Sequence, residues 1–342
     1  MSISYYAAAN TEKGFKSLFG EIFSPKELFR LYIIKGGPGT GKSTFMRGVA
    51  EAAEQRGFDV EYYYCSADTG SLDGMKIPSL KTALIDGTSP HSYEPKYPGA
   101  CETVIDLGQN FDTGKLRENR SDIERLTDEC SLCYARSSRF LRAAGETERM
   151  LFEVSQRAFD TDKAKKAVSR ILGEAKPKTG KYTERYISAV GTRGMAHIKN
   201  VHGEGIKKVK ISGKYGMDKL FISLLSHEAC ACGYTVLRYP DVLLHDMTEG
   251  VYIDEIKTFY TISEESENGI NAMRFAVKSV LCENRGKIRF AEKCREALMQ
   301  GAVSELAKMG VAHDELEKYY AEAMDFEKSN EMMRAVTEEI FR

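Results

Sequence analysis

The chain has 342 residues, of which 42% are hydrophobic and 29% charged, and its formal net charge at pH 7 is -1. This length allows two domains of ordinary size, each with its own hydrophobic core. The near-zero net charge argues against nucleic acid or an anionic membrane as a partner attracted by overall charge. No apolar run of 18 residues occurs, and residues 1–16 lack the pattern of a signal peptide. We therefore expect a cytoplasmic protein without a membrane partner.

The eight cysteines do not indicate a disulfide scaffold or a zinc site. Cys130 and Cys133 lie about one turn apart in a charged helical stretch, but no second such pair and no nearby His completes a set of four ligands. Thiols in the cytoplasm are kept reduced. We therefore expect free cysteines without a metal-binding role.

The first predicted elements are a strand, a helix and a second strand. Leu31–Lys35 is a short apolar run, which is typical of a buried strand. Lys42–Arg56 has a helical pattern that stops at Gly57, a common residue after a helix end. Val60–Cys65 is rich in Tyr and bounded by small residues, which indicates a strand.

The segment between the first strand and the helix fits the phosphate-binding pattern G-x-x-x-x-G-K-[ST]. Its glycines allow a sharp turn that brings backbone N–H groups to phosphate oxygens, and the helix that follows directs its positive end at the same oxygens. We expect Lys42 to lie between the β- and γ-phosphates of a nucleoside triphosphate, and the Ser43 hydroxyl to bind Mg²⁺. The residues predicted to bind the nucleotide are Gly36, Gly37, Pro38, Gly39, Thr40, Gly41, Lys42, Ser43 and Thr44.

A phosphate loop of this kind also needs an acid at the end of a neighbouring strand to hold the metal. Thr82–Ile85 reads as a short buried strand, and Asp86 follows it directly. We therefore predict Asp86 as the second metal residue and, with Lys42, as a catalytic residue. The alternative is an ordinary turn Asp before a Gly.

Acidic and small residues fill the segment from Cys65 to Gly74, after the second predicted strand. Ligands bind at the carboxyl ends of parallel strands, so Asp68 or Asp73 is a candidate to orient an attacking water or a substrate hydroxyl. We select Asp68 as the third catalytic residue. His91 is a candidate to sense the γ-phosphate. For each of these residues the alternative is a structural role in a loop.

A longer helical region follows. Thr103–Leu107 reads as a strand, and Lys115 to about Ala175 is charged and nearly free of Gly and Pro, which predicts long helices. Lys176–Gly180 interrupts this pattern and is the predicted linker. The sequence therefore predicts one domain over residues 1–180 and a second over 181–342.

The second half repeats the first. Displacements of 177, 176 and then 165 residues align an ordered series of identities with small gaps, which predicts a tandem duplication. Val209–Ile211 and Thr235–Tyr239 are the corresponding strands, and long helices follow them to the end. Strands that alternate with helices predict α/β domains, each with a parallel sheet flanked by helices. The best-matched residues are Ile34, Gly36, Gly39 and Lys42, which align with Ile211, Gly213, Gly216 and Lys219.

The same alignment predicts that the second phosphate loop is degenerate. Asp218 would face the phosphates, where like charges repel by about 1–4 kcal/mol depending on screening. Lys219 is retained, and we expect it to be an exposed lysine. The aligned replacements are Asp218 for Gly41, Leu220 for Ser43 and Ile262 for Asp86.

These motifs resemble those of P-loop NTPases and, more closely, those of an uncharacterised family of bacterial ATP-binding proteins built from two P-loop halves. The resemblance covers most of the chain, and it implies ATP binding and hydrolysis without indicating a second substrate. The stretches that carry it are Ile33–Thr44, Cys65–Asp68, Ser71–Gly74, Ile85–His91 and Pro95–Gly99.

Three functions fit this pattern. The first is a Mg²⁺-dependent ATPase that couples hydrolysis to a conformational change, with an inactive second domain that regulates or supports the first. The second is a kinase that transfers the γ-phosphoryl group to a nucleotide or small metabolite. The third is a nucleotide-dependent module that binds a protein or small-molecule partner with little turnover. A kinase usually adds arginines to the site, and the candidates are Arg117, Arg120, Arg136, Arg139 and Arg142.

Overall fold

A computed structural model describes residues 2–174, 179–264 and 269–342. Over these residues the chain is an α/β protein with two six-stranded sheets flanked by helices, arranged as two tandem units. The two-unit α/β organisation predicted from the sequence is confirmed. The predicted linker falls mainly on residues 176–178, which lie outside the described residues.

The first sheet has the strand order β1-β5-β6-β7-β4-β8, so β4 lies between β7 and β8. The strand β4 and the helix α2 flank the predicted phosphate loop. The elements of this unit are β1 (Ile3–Tyr6), β2 (Ala8–Thr11), β3 (Gly14–Ser17), α1 (Phe19–Ile22), β4 (Arg30–Lys35), α2 (Lys42–Gln55), β5 (Glu61–Tyr64), β6 (Leu72–Ile77), β7 (Thr82–Asp86) and β8 (Glu102–Asp106).

The sheet is mixed, whereas the sequence predicted a parallel sheet. β6 runs antiparallel to both β5 and β7. The sequence pattern placed residues 65–74 in a loop, but Leu72 already begins β6. The physical reason is the length of the connections, because a parallel crossover needs a dozen or more residues and the links on either side of β6 are shorter.

The second unit repeats the first strand by strand. Its order is β9-β13-β14-β15-β12-β16, and each pair of neighbours has the same direction as its counterpart in the first sheet. The remaining elements are α3 (Thr113–Glu118), α4 (Arg120–Ala158), α5 (Thr161–Leu172), β9 (Lys181–Glu184), β10 (Ser188–Gly191), β11 (Gly194–His197), β12 (Lys207–Ser212), α6 (Met217–Ala231), β13 (Thr235–Pro240), β14 (Thr248–Ile253), β15 (Thr258–Ile262), β16 (Ile270–Asn271), α7 (Lys278–Glu283), α8 (Arg285–Glu322) and α9 (Phe326–Ile340).

The last helix of each half packs on a helix of the other half that flanks its sheet. The long helices α4 and α8 pack along each other, α5 packs on α6, and α9 packs on α2. Backbone hydrogen bonds between the two halves fix the positions at which α5 and α9 begin. The amide N–H of Asp112 donates to the carbonyl of Ala323 (2.7 Å), and that of Val277 donates to the carbonyl of Ala158 (2.7 Å).

The hydrophobic cores follow this exchange. One core places Met324 and Ile340 with α2 and the first sheet, and another places Leu151 and Val168 with α6 and the second sheet. A further core joins the two halves, where Tyr6 and Tyr186 exchange backbone hydrogen bonds of 2.9 and 3.1 Å. Within the described residues, no helix combines the length and apolar character that a membrane crossing requires.

Candidate functional site

The predicted phosphate loop is a tight turn between the buried strand β4 and the helix α2. Gly39 and Gly41 have positive φ angles of +67° and +83°, and Gly41 is the residue that caps α2. Side chains rarely adopt this conformation, which explains glycine at both positions. The loop residues Gly36–Gly39 are partly exposed, and the N-terminal end of α2, with its partial positive charge, adjoins them.

Lys42 begins α2 and folds back over the loop. Its Nζ donates to the carbonyls of Gly36 (3.2 Å) and Gly37 (2.8 Å), and it lies 3.6 Å from Asp86 Oδ2. The side chains of Lys42 and Asp86 are 11% and 14% exposed. The structure therefore brings together two of the three predicted catalytic residues, beside the loop.

Asp86 ends β7, the immediate neighbour of β4, and faces Ile34 in the register of the two strands. Its Oδ1 accepts hydrogen bonds from the backbone N–H and the hydroxyl of Thr88 (2.8 and 2.5 Å), which fixes the carboxylate. Ser43 Oγ accepts a hydrogen bond from the N–H of Leu72 (2.9 Å). A hydroxyl and a carboxylate are the oxygen donors that Mg²⁺ prefers, so the residues present fit this ion.

Asp68, the third predicted catalytic residue, lies in the turn between β5 and β6. Its side chain is exposed and accepts hydrogen bonds from the N–H of Gly70 (3.2 Å) and the hydroxyl of Ser71 (2.5 Å). Arg47 of α2 donates to the carbonyl of Gly70 (2.5 Å) and so ties this turn to the helix of the phosphate loop. The Asp68 carboxylate therefore stabilises the turn, and each of its oxygens can accept a further hydrogen bond.

Asp73 lies at a bulge near the start of β6, where the register with β5 shifts between Tyr63 and Tyr64. Bulges redirect a side chain and are common beside functional sites. Asp73 Oδ2 lies 2.8 Å from His91 Nε2, and both side chains are buried. His91 Nδ1 is buried and has no hydrogen-bond partner among the described residues.

His91 is held between aromatic rings. It stacks on Phe19 (4.6 Å between ring centroids) and meets the edge of Phe15 (5.0 Å). Burial acts to lower the pKa of His91, but the carboxylates of Asp73 and Asp86 outweigh it and raise this pKa above its usual value. Burial, reinforced by Asp73, raises the pKa of the Cys65 thiol well above its usual value. The acids beside the loop thus favour a charged imidazole and a neutral thiol.

The phosphate loop is packed against α8, which comes from the other half of the chain. A Cβ added at Gly37 would lie 2.7 Å from the ring of Tyr320, and one at Gly39 would lie 2.7 Å from the carbonyl oxygen of Glu317. These neighbours were not predicted from the sequence, because a local sequence pattern gives no information about contacts between residues almost 300 positions apart. The second half has the same arrangement, in which Phe152 of α4 lies beside Gly216.

The second loop is shorter than the first, because four residues separate β12 from α6 whereas six separate β4 from α2. The buried residues of α2 recur in α6 at a constant displacement of 176, which places Asp218 at the position of Lys42 and Lys219 at the position of Ser43. Ile262 remains opposite Asp86 in the register of the sheets. The first loop therefore has the predicted Lys-Ser pair, where the second half has Asp218 and Lys219.

Lys219 lies in an ion cluster with 15% of its side chain exposed, whereas the sequence predicted an exposed lysine. Its Nζ lies 2.8 Å from Asp241 Oδ2 and 3.1 Å from Glu148 Oε1, and the other oxygen of Glu148 accepts a hydrogen bond from Arg295 (2.6 Å). We call these four residues the Lys219 cluster. Burial opposes the charged form of Lys219, but Asp241 and Glu148 raise its pKa overall. Two carboxylates of the chain flank the ammonium, from Asp241, which directly follows β13, and from Glu148 of α4.

Glu249 occupies in β14 the bulge position that Asp73 occupies in β6. Its Oε1 accepts a hydrogen bond from the hydroxyl of Ser188 (2.6 Å). Burial, with the nearby carboxylate of Asp241, raises the pKa of Glu249 to about 8. Both halves therefore have an acid at the bulge. In the second half this acid pairs with a hydroxyl, whereas in the first half it pairs with an imidazole.

The five candidate arginines are exposed on α3 and α4. Arg120 pairs with Glu124 on its own helix, and Arg136 lies 3.8 Å from Glu305. These side chains fit a solvated helix face.

Comparison with family models, with curated proteins and with solved structures gave no significant match to this chain.

Proposed function

We propose that this chain is an ATP-binding protein that hydrolyses ATP with Mg²⁺ in the first loop. The observation that carries the proposal is the arrangement of Lys42 and Asp86. Lys42 begins the helix after a glycine loop of the phosphate-binding pattern, and Asp86 ends the adjacent strand 3.6 Å from its ammonium group. This sequence and this placement are the combination that triphosphate binding needs.

The residues have distinct roles in the proposal. Backbone N–H groups from Gly36 to Thr44 surround the phosphates, and the end of α2 stabilises their charge. The ammonium of Lys42, which now contacts two loop carbonyls, turns to the β- and γ-phosphates. Asp68, exposed in the turn that Arg47 ties to α2, orients the attacking water, whose oxygen bonds to the γ-phosphorus while the bond to ADP breaks and a proton passes to solvent.

Ser43 Oγ and Asp86 Oδ2 would hold the magnesium ion, which neutralises phosphate charge when it is bound. Asp86 is already oriented for this role by the two hydrogen bonds from Thr88 to its other oxygen. Ser43 keeps one lone pair beyond the N–H of Leu72.

The second half serves the first in this proposal. Asp218 and Lys219 replace the lysine and the hydroxyl of the first loop, and the buried carboxylates of the Lys219 cluster repel an added triphosphate. We therefore expect one nucleotide per chain.

Equilibrium titration with Mg-ATP and steady-state phosphate release test this function together. We expect one binding site per chain, slow phosphate release by the wild type, and loss of both in Lys42→Ala. Lys214→Ala is the matched control, because Lys214 is an exposed lysine of the second loop. Two bound nucleotides, or unchanged affinity in Lys42→Ala, would contradict the proposal. Phosphate release that appears only with added phosphoryl acceptors would replace the ATPase with a kinase, and binding without release would replace it with a nucleotide-dependent interaction module.

A further inference from the structure

An exposed aromatic ring stands beside the phosphate loop, and it comes from the last helix of the chain. Phe326 is the first residue of α9, and its side chain is 42% exposed. Its ring lies 3.5 Å from the position that a Cβ would take at Gly41, the residue that caps α2. Phe326 is therefore next to the N-terminal end of the helix that receives the phosphates.

The start of α9 is fixed with respect to the first sheet. The N–H of Asp325 donates to the carbonyl of Asn110 (3.1 Å), and the N–H of Asp112 donates to the carbonyl of Ala323 (2.7 Å). The side chain of Asp325 also caps the helix by accepting from the N–H of Lys328 (3.2 Å). These bonds hold the Phe326 backbone in place, so the ring stays beside the loop.

The geometry of a triphosphate places its base on this side. With the β- and γ-phosphates in the loop, the α-phosphate lies at the first turn of α2, near Ser43 and Thr44. Thr44 is exposed, so the ribose and base leave the loop there, towards solvent. A flat aromatic ring at this exit is a suitable surface for a nucleobase, because aromatic side chains stack on the faces of bases.

The second half provides a comparison within the same chain. Asp160 caps α5 as Asp325 caps α9, and the next residue is Thr161 instead of Phe326. The aromatic residue therefore accompanies the loop with the phosphate-binding sequence, and a small polar residue accompanies the loop that is occupied by the Lys219 cluster.

We propose that Phe326 is the stacking surface for the nucleobase of the bound triphosphate. This inference rests on the proposed nucleotide site and extends it, since it makes the last helix of the chain part of a site whose phosphate loop lies near the beginning. It also identifies the ligand as a nucleotide whose base is recognised by its face, in preference to a triphosphate group alone.

Binding of two ligands separates the base from the phosphates. Mg-ATP and Mg-tripolyphosphate are titrated into the wild type, Phe326→Ala, Phe326→Trp and the control Phe290→Ala, whose side chain is 63% exposed on α8. We expect the wild type to bind Mg-ATP more tightly than Mg-tripolyphosphate. Phe326→Ala should lose about 10- to 100-fold in affinity for Mg-ATP, with no change for tripolyphosphate. Phe326→Trp should restore the affinity, and Phe290→Ala should match the wild type.

Unchanged Mg-ATP affinity in Phe326→Ala would overturn the inference and leave the proposed function standing. Equal weakening of both ligands, or a failure of Phe326→Trp to restore binding, would likewise exclude stacking. A wild type that binds neither ligand would overturn both proposals.

Discussion

The two glycine-containing loops lie at the same place in their sheets, which have the same strand order. A lysine follows each loop, and the surroundings of the two lysines differ. Lys42 contacts two backbone carbonyls and lies 3.6 Å from one carboxylate. Lys219 lies within 3.1 Å of two carboxylates and forms part of a buried network. In the proposed function the first ammonium exchanges its contacts with the loop carbonyls for phosphate oxygens, whereas the second is paired with two carboxylates of the fold.

The comparison shows that the two halves keep the same fold around loops of different sequence. The helix, the positive φ of the capping glycine and the bulge with an acid are all present in the second half. Relative to the buried residues of the helix, the lysine of the second half lies one position further along, where Asp241 and Glu148 neutralise its charge.

The largest expected effect is on stability, at Lys219. Lys219→Met keeps the length of the side chain but leaves Glu148 and Asp241 buried without their shared partner, so we expect a loss of about 3–5 kcal/mol in the free energy of unfolding. Urea denaturation measures this loss, with Lys214→Met as the exposed control on the same loop. A loss below about 1 kcal/mol in the free energy of unfolding would contradict a stabilising role for Lys219.

Next in size is the effect of Asp86 on metal dependence. Asp86→Asn removes a negative charge beside the proposed magnesium site, so the Mg²⁺ concentration that half-saturates ATP binding should rise about 10- to 100-fold. The control is Asp106→Asn at the end of β8, on the other side of β4, where Asn preserves the turn that Asp106 caps. Equal shifts in the two variants would remove Asp86 from the metal site.

A third test is the pH dependence of the free energy of unfolding contributed by Glu249, the acid at the second bulge. The pKa of Glu249 is raised to about 8 from an ordinary 4.5, so between these values the folded chain holds a proton that the unfolded chain releases. The stability that this group contributes is full below about pH 4.5 and is lost as the pH rises towards about 8. Glu249→Gln, which is always neutral, should match the wild type near pH 5 and be more stable near pH 8. Denaturation curves at the two pH values check this, and a pH-independent difference would contradict it.

The smallest expected effect is at the first bulge. The pKa of His91 is raised by Asp73 on β6 and by Asp86 at the end of β7, while Phe15 of β3 and Phe19 of α1 cover the ring. The stabilising contribution of the protonated form is therefore full below about pH 6.5 and disappears as the pH rises through the raised pKa. His91→Asn should cost about 1 kcal/mol in acid and less in alkaline solution, measured by the same denaturation curves. A larger cost at alkaline pH would show that the neutral imidazole is the stabilising form.

The sequence predicted the strands and the helix around the first loop because their patterns are local. A short apolar run before glycines, followed by a helical period, specifies β4 and α2 within two residues. The strands β1, β9 and β14 were missed, because short strands with mixed polarity have no distinct period. The neighbours of the loop on α8 and α9 were missed for another reason, since contacts between distant segments depend on the packing of the halves.

The alignment error in the second half also has a physical origin. Matching Lys219 with Lys42 maximised identities, but the helices superpose through their buried residues, such as Phe45 with Phe221. Core positions tolerate little displacement, whereas a loop accommodates the loss of a residue. Near a loop, the pattern of buried residues is therefore a better guide to equivalent positions than the number of sequence identities.

The exchange of α5 and α9 makes the two halves a complementing pair. A chain divided near residue 180 yields two fragments, each of which exposes the core surface that the other fragment's last helix covers. The two fragments together contain the core contacts that each lacks. Co-expression of separate halves should therefore reconstitute the molecule without a covalent link, and each half alone should aggregate.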